Sequence, residues 1–264
     1  LSVVLIGTVY PIFLDVLSSQ RISVGPPFYL KLIIPFLIPF LIFMAIGPQL
    51  KWIKSEIEDK SFLIIFFVIS LVLSFFITKN TDINFLINTI LIGSAFYLFF
   101  VTSRDFFLKK SKNFHQNISH FGFSLLILSI LLNNVFSSEI ITNLKVGESF
   151  RNNKFEITFN SLSQVDKANY ISLKGNFTVK DNKNIIDNLE PELRIYNQPN
   201  IITSEADIKT TLITDKFITM NTVNNEDYLN IRYQVKPFMI WVWISVLLIV
   251  SGGLISLFKK KYEK

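Results

Sequence analysis

Long apolar stretches constrain this chain more than any other feature of its sequence. A helix needs about 20 consecutive apolar residues to cross a bilayer. Five stretches come close to that length and a shorter one opens the chain: Ser2–Leu17, Leu30–Leu50, Phe62–Thr78, Ile83–Ser103, Ile118–Phe136 and Phe238–Phe258. The mean hydropathy of +0.43, with 50% hydrophobic residues, is too high for an ordinary soluble domain. The sequence therefore predicts a polytopic α-helical membrane protein with about six spans, the first of them truncated.

The segment between the last two spans has a different character. Asn, Thr, Asp and Lys dominate residues 137–236, and apolar residues alternate with polar ones in several short runs. Alternation with a period of two is typical of half-buried strands. The clearest runs are Lys154–Phe159, Tyr170–Leu173, Asn176–Lys180 and Tyr228–Val235. We predict one antiparallel β domain, a sandwich or an open barrel, over 137–236. Helices one to five then occupy 1–136, and 237–264 holds the last helix and a basic tail.

The placement of cations predicts how the chain is oriented. Eleven Lys and Arg residues fall on one side of the predicted membrane: Lys51, Lys54, Lys60, Arg104, Lys109, Lys110, Lys112, Lys259, Lys260, Lys261 and Lys264. The short loops on the other side hold only Arg21, Lys31 and Lys79. Cytoplasmic or matrix loops carry the excess of positive charge, so the β domain is expected outside, in a periplasm or an intermembrane space. Flanking lysines are ordinary in membrane proteins, and we expect no nucleic-acid partner.

Several kinds of chemistry are excluded by what the sequence lacks. There is no Cys, which excludes disulfides, thiolate zinc sites and Cys nucleophiles. No Gly-x-Ser-x-Gly, His-Glu-x-x-His or phosphate-cradling loop is present, and no catalytic residue is predicted. The chain opens on Leu1 inside an apolar run, so we expect one piece of a longer polypeptide or of a split gene.

The only two histidines, His115 and His120, lie where the fifth span begins. Asn113 and Asn117 are plausible N-cap residues for that helix. Five residues of an α-helix turn through about 140°, so one helix does not direct both imidazoles to the same metal. We interpret His115 as an interfacial residue beside the lysine-rich loop. His120 is a metal ligand, a proton carrier or an amphipathic anchor. Gly122 leaves a bare patch where a flat macrocycle or another helix could pack.

Two further features at the membrane faces have more than one interpretation. Asp15 lies near the end of the first span, where an acid is either functional or simply reaches water. Trp241 and Trp243 open the last span as boundary anchors, or as part of a ligand-facing surface outside the membrane.

Six stretches, taken in order, carry a family resemblance. They are Gly7–Pro11 with Asp15, Arg21–Tyr29, Ala45–Pro48, Ser119–Phe123, Leu193–Tyr196 with Thr203–Asp207, and Tyr233–Phe238 with Trp241–Trp243. Together they resemble the C-terminal portion of the CcmF family of cytochrome c maturation proteins, over essentially the whole chain. The resemblance implies a component of the cytochrome c haem lyase, active only within its complex. Such a component receives haem from a haem chaperone and, with other haem lyase subunits, delivers it to apocytochrome c.

The resemblance also implies a cofactor and one of its ligands. The family holds a haem b in the membrane, and one axial histidine opens a late span in an H-x-G context, which His120 matches here. His115 has no counterpart in that motif. We place Arg21 beside anionic haem groups as a hypothesis from its position alone. The family's tryptophan-rich external segment and second haem histidine belong to its N-terminal half. That half, on the same or a separate polypeptide, is therefore expected to complete the haem site.

Two other functions compete with the haem lyase interpretation. The chain could be a non-enzymatic membrane receptor or assembly scaffold whose β domain binds a protein partner. It could also be a transporter subunit, which the Pro and Gly residues within its spans suggest. The β domain either braces the helices or docks the chaperone or the apocytochrome.

Overall fold

The computed structural model describes residues 2–18, 26–50, 60–79, 85–108, 114–181, 186–223 and 227–262. The chain divides into two compact units, which are Leu1–Leu128 with Ile244–Lys264, and Ser129–Trp243. The loop cations Arg21, Lys51, Lys54, Lys109, Lys110 and Lys112 lie outside the described residues, as do Gly25 and Asn113.

Six α-helices lie in the described part of the chain: α1 (Ser2–Ser18), α2 (Pro26–Ile46), α3 (Lys60–Thr78), α4 (Phe85–Phe107), α5 (Phe114–Phe136) and α6 (Met239–Tyr262). A 3₁₀ turn, Gly47–Gln49, follows α2. Helices α2 to α6 are long and apolar enough to cross a membrane, and the apolar part of α1, Leu5–Leu17, is shorter. The predicted fold class of about six membrane helices with an antiparallel β domain between the last two is confirmed.

Small and hydroxyl-bearing residues bring the helices of the first unit together. On α3, Ser70, Ser74 and Thr78 are fully buried, and the Oγ1 atoms of Thr78 and Thr89 on α4 lie 2.6 Å apart in a hydrogen bond. A Cβ at Gly93 of α4 would lie 3.0 Å from Leu71 Cδ2 and 3.1 Å from Ser74 Oγ. Such residues allow close backbone approach where no hydrophobic effect drives helices together in lipid.

The described residues of the β domain form ten strands: β1 (Ser138–Leu144), β2 (Ser149–Arg151), β3 (Phe155–Asp166), β4 (Tyr170–Asp181), β5 (Ile186–Leu189), β6 (Glu192–Asn197), β7 (Asn200–Glu205), β8 (Asp207–Thr210), β9 (Thr214–Thr222) and β10 (Leu229–Pro237). One sheet has the order β1-β10-β9-β8, and the other has the order β2-β3-β4-β6-β7, with β5 paired to β4. Every pairing in the two sheets is antiparallel.

Inward-facing residues of both sheets form one core. Phe159 and Phe177 stack at its centre, with ring centroids 4.4 Å apart, and Ile218, Met220 and Tyr233 of the other sheet pack in the same cluster. The domain is therefore a sandwich, one of the two predicted forms. The runs Tyr170–Leu173 and Asn176–Lys180 belong to the single strand β4 rather than to two strands.

Gly175 interrupts the alternating pattern of β4 without ending the strand. A Cβ there would lie 2.6 Å from Phe177 Cε2 and 3.0 Å from Met220 Sδ. The missing side chain therefore makes room for core residues rather than for a turn.

Candidate functional site

His120 is half-buried on α5 and lines a narrow cavity. The cavity has a volume of about 20 Å³, which holds about one water. Its walls come from α2, the 3₁₀ turn, α4 and α5, and its lining residues are Met44, Ala45, Pro48, Val101, Thr102, Asp105, Gln116, Asn117 and His120. Asp105 is the acidic residue among them, so an imidazole and a carboxylate share this cavity.

Side-chain hydrogen bonds fix the walls of the cavity. Gln49 Nε2 donates to Asp105 Oδ2 at 2.6 Å, and Asn117 Nδ2 donates to the Asp105 backbone carbonyl at 3.0 Å. The hydroxyls of Thr102 and Ser124 are hydrogen-bonded at 2.7 Å between α4 and α5. A polar group left without a hydrogen bond in hydrocarbon is costly, which favours such bonds between membrane helices. These bonds hold α4, which carries Asp105, and α5, which carries His120, in a fixed arrangement that forms the frame of the cavity.

Asn117 was predicted as an N-cap of the fifth span, and this prediction is wrong. The residue lies inside α5, which begins at Phe114, and its amide bridges to α4 instead of capping its own helix. The other candidate cap, Asn113, lies outside the described residues.

The structure separates the two histidines, as their spacing predicts. His120 lines the cavity and His115 does not. The backbone carbonyl of His115 instead faces α6, where a Cβ at Gly252 would lie 2.7 Å from it. Five residues of helical rotation therefore direct these two positions to different neighbours.

Gly122 packs against a helix, so the macrocycle alternative for its bare patch is wrong. A Cβ at Gly122 would lie 2.9 Å from Leu248 Cβ and 3.0 Å from Ile249 N. On the facing helix, a Cβ at Gly252 would meet Ser119 Oγ. Helices α5 and α6 thus approach closely through glycines on both sides, as small residues permit in membranes.

The donor chemistry at His120 is compatible with haem, because its side chain is an imidazole. A haem iron takes its protein ligands only along its axis, and a single imidazole is enough for one of them. The described residues contain no group of three His, Cys, Asp or Glu side chains that could hold a free metal ion. The cavity beside His120 does not fit a macrocycle, because it holds about one water. A porphyrin bound by His120 has to lie outside this cavity.

The other residues singled out from the sequence are not brought to this cavity. Asp15 is exposed near the end of α1. Arg21 lies outside the described residues. Trp241 donates its Nε1–H to the Leu212 carbonyl at 2.9 Å, and the side chain of Trp243 is largely exposed.

A buried ionic cluster in the β domain was not predicted from the sequence. The Asp187 side chain is only 4% exposed, and it accepts from Lys209 Nζ at 2.5 Å and from Lys216 Nζ at 2.6 Å. Burial raises the pKa of Asp187, but the two lysine hydrogen bonds and charges outweigh it and leave the pKa below its usual value. Asp187 lies on β5 of one sheet and the lysines on β8 and β9 of the other, so the cluster joins the two sheets. No sequence signal connects residues this far apart.

The chain is similar to known proteins along almost its whole length. Residues 135–237 match the family model described as the CcmF C-terminal beta-sandwich. The chain is similar to the C-terminal portion of CcmF. It is 26% identical over 277 residues to the cytochrome c-type biogenesis protein CcmF of Pseudomonas fluorescens, covering 99% of this chain and 42% of that protein. The CcmF of Escherichia coli K12 is 25% identical over 271 residues, with the same shares covered.

A solved structure has the same fold. The cytochrome c haem lyase CcmF superposes with a TM-score of 0.71 at 19% identity, over 96% of this chain and 42% of that one. The chain thus spans about two-fifths of the length of the CcmF proteins that it matches. The resemblance to the C-terminal portion of CcmF drawn from the six sequence stretches is confirmed.

Proposed function

We propose that this chain is the C-terminal part of a haem lyase subunit for cytochrome c maturation. It helps to hold a membrane haem b and takes part in transferring haem from a haem chaperone to apocytochrome c, together with other haem lyase subunits. The observation that supports this most is the extent of the similarity to CcmF, which covers 99% of the chain rather than the β domain alone. The chain is not a lyase by itself in this proposal, because it supplies one part of the haem site.

In this role an imidazole nitrogen of His120 would hold the haem iron, and the haem would supply one-electron redox chemistry. A histidine that binds a metal almost always donates its other ring N–H to a carboxylate, a carbonyl or water, and this partner fixes the tautomer and the ring orientation. Asp105 lines the same cavity as His120 and is itself held by Gln49. We assign Asp105 as the group that orients the imidazole.

The remaining walls and the second ligand come from the N-terminal half of the same subunit. The described residues around His120 form a ligand and its support rather than an enclosed haem pocket, so this proposal requires that half to supply the rest of the site.

The membrane is the bacterial inner membrane, or the mitochondrial inner membrane if the chain is organelle-encoded. The eleven cations on one side of the spans support a β domain on the periplasmic or intermembrane-space side. Since the chain has no Cys, a single Val146→Cys substitution in the β domain gives a clean test. A membrane-impermeant thiol reagent should label this position in intact cells or mitoplasts. Labelling only after the membrane is opened would reverse the orientation.

The haem proposal is tested by the visible spectrum of the complete subunit, with the N-terminal half of the family supplied. We expect His120→Ala to lose the reduced b-type spectrum while the protein still inserts in the membrane. His115→Ala is the matched control, since it removes the only other imidazole from the same helix, and it should leave the spectrum intact. An unchanged spectrum in His120→Ala would return His120 to an interfacial anchor.

One observation favours the alternative of a non-enzymatic receptor or scaffold, namely the small cavity beside His120. A scaffold has no need of a haem pocket and recognises its partner through the β domain. The same preparation separates the two functions. A colourless wild-type subunit that still assembles with its partner proteins would favour the scaffold, and a Soret band lost in His120→Ala would exclude it.

A further inference from the structure

The hairpin between β8 and β9 ends in an apolar tip, Leu212–Ile213. These two side chains are 70% and 63% exposed. The turn is closed on both sides by threonines, with Thr211 N–H donating to the Thr214 carbonyl at 2.9 Å and Thr214 N–H donating to Thr211 Oγ1 at 3.0 Å. No charged residue occurs between Lys209 and Asp215. The hairpin therefore presents two large aliphatic side chains on an uncharged turn.

The register of the sheet places this tip at the end where α6 begins. Thr214 of β9 pairs with Pro237 of β10, and α6 starts at Met239. At the far end of the same strands, Thr222 pairs with Leu229, and Leu229 pairs with Leu144 of β1. The turn that follows β1, which contains Val146, is thus at the opposite end of this sheet from the tip.

Both carbonyls of the tip accept hydrogen bonds from residues at the start of α6. Trp241 Nε1–H donates to the Leu212 carbonyl at 2.9 Å, and Phe238 N–H donates to the Ile213 carbonyl at 2.7 Å. Phe238 is held at φ +63°, a left-handed conformation that is strained for a bulky residue. This conformation directs the Phe238 N–H to the tip, and the hydrogen bond to Ile213 helps to offset the strain.

Other apolar groups surround the tip at the same end of the unit. The Trp243 side chain is 65% exposed and that of Phe136, the last residue of α5, is 49% exposed. The rings of Phe136 and Phe238 are 6.5 Å apart, and Asn133 Nδ2 donates to the Pro237 carbonyl at 2.5 Å. The tip, the end of α5 and the start of α6 therefore form one apolar and aromatic belt.

We propose that the Leu212–Ile213 tip inserts into the interfacial layer of the lipid bilayer that α6 crosses. The residues Met239–Phe258 are long and apolar enough for that crossing, and Trp241 lies in their first turn, where tryptophans favour the lipid–water boundary. In lipid, backbone carbonyls have to be satisfied by protein donors, and both tip carbonyls are. The β domain would then hold the membrane at a third point besides α5 and α6. This inference does not depend on haem.

The test uses the full chain in vesicles of phosphatidylcholine and phosphatidylglycerol. Because the chain has no Cys, Ile213→Cys can carry a single environment-sensitive fluorophore. Val146→Cys is the matched control, an aliphatic residue 52% exposed at the opposite end of the same sheet. We expect the label at 213 to emit further to the blue, to be quenched by nitroxide lipids and to be protected from aqueous iodide. The label at 146 should show the reverse pattern.

Two results would overturn this assignment. Iodide quenching at 213 as strong as at 146 would place the tip in water. Protection at 213 from both iodide and nitroxide lipids would mean that protein, not lipid, covers it. Neither result bears on the spectrum of His120→Ala, so failure of the lipid contact and failure of the haem proposal are distinguishable.

Discussion

Replacing Asp187 with Asn tests how the two sheets of the β domain are held together. The carboxylate is 4% exposed and accepts from Lys216, which is 18% exposed, and from Lys209, which is 51% exposed. A hydrogen bond to a charged group contributes about 1.5–3 kcal/mol when buried. The bond to Lys209 contributes less because solvent screens it. We therefore expect Asp187→Asn to destabilise the junction of β5 with β8 and β9 by about 2–3 kcal/mol.

Hydrogen exchange of the full chain in nanodiscs measures this loss directly. Since 1.4 kcal/mol is a factor of ten, amides of β5, β8 and β9 should exchange roughly 30- to 150-fold faster at pH 7. Glu190→Gln is the control, because Glu190 pairs with Lys174 at 2.6 Å on the surface, where both side chains are well exposed. The reasoning is refuted if the two variants accelerate exchange in these strands equally.

The same pair of proteins gives a pH dependence with a defined sign. The pKa of Asp187 lies below its usual value in the folded protein, which means that the carboxylate stabilises the fold above the unfolded-state pKa of about 3.9. This stability is lost as the pH falls through the lower folded-state value. The protection factors of the β5 amides, which are corrected for the pH dependence of intrinsic exchange, should therefore fall in wild type below about pH 4, and less so in Asp187→Asn.

The remaining predictions concern packing. Tyr233→Phe should stabilise the β domain by about 1 kcal/mol, measured as slower exchange in β10, because its hydroxyl is buried without a hydrogen-bond partner among the described residues. Gly122→Leu should weaken the contact of α5 with α6 by about 1–3 kcal/mol, seen as a lower melting temperature in detergent, since even a Cβ added there would lie 2.9 Å from Leu248 Cβ. Gly253→Ala is the control, because a Cβ added at this position would have no atom within 4 Å. Thr102→Val should cost less than about 1 kcal/mol in the same melt, because Ser124 keeps its bond to the Phe121 carbonyl.

Hydropathy predicted the helices of this fold, because only a helix satisfies the backbone of a long apolar run in lipid. Period-two alternation identified β3, β4 and β10 and did not single out the other seven strands that the structure describes. Gly175 divided β4 into two runs in the sequence. A glycine marks either a turn or a close approach, and only the position of Met220 on the facing sheet decides between them.

The sequence identified the candidate ligand, His120, but not the residues that surround it. His120 stood out because imidazoles are so few here, and helical spacing separated it from His115. Asp105 and Gln49 gave no signal, since their meeting depends on how α2, α4 and α5 pack. From the sequence alone, the bare patch at Gly122 could have faced a macrocycle or another helix, and the position of Leu248 shows that it faces α6.

Helix α6 shows how much one predicted span leaves undetermined. The sequence indicates Trp residues at its start and two glycines further on, and both patterns are ordinary in membrane helices. In the structure, Trp241 supports the tip of a hairpin that is 29 residues away in sequence, while Gly252 admits the backbone of α5. Gly253, its neighbour, has open space around it. Two adjacent glycines thus differ in role because only one faces a helix. A change at Gly252 should disturb the frame that carries His120, whereas a change at Trp241 should act on the hairpin tip and leave that frame intact.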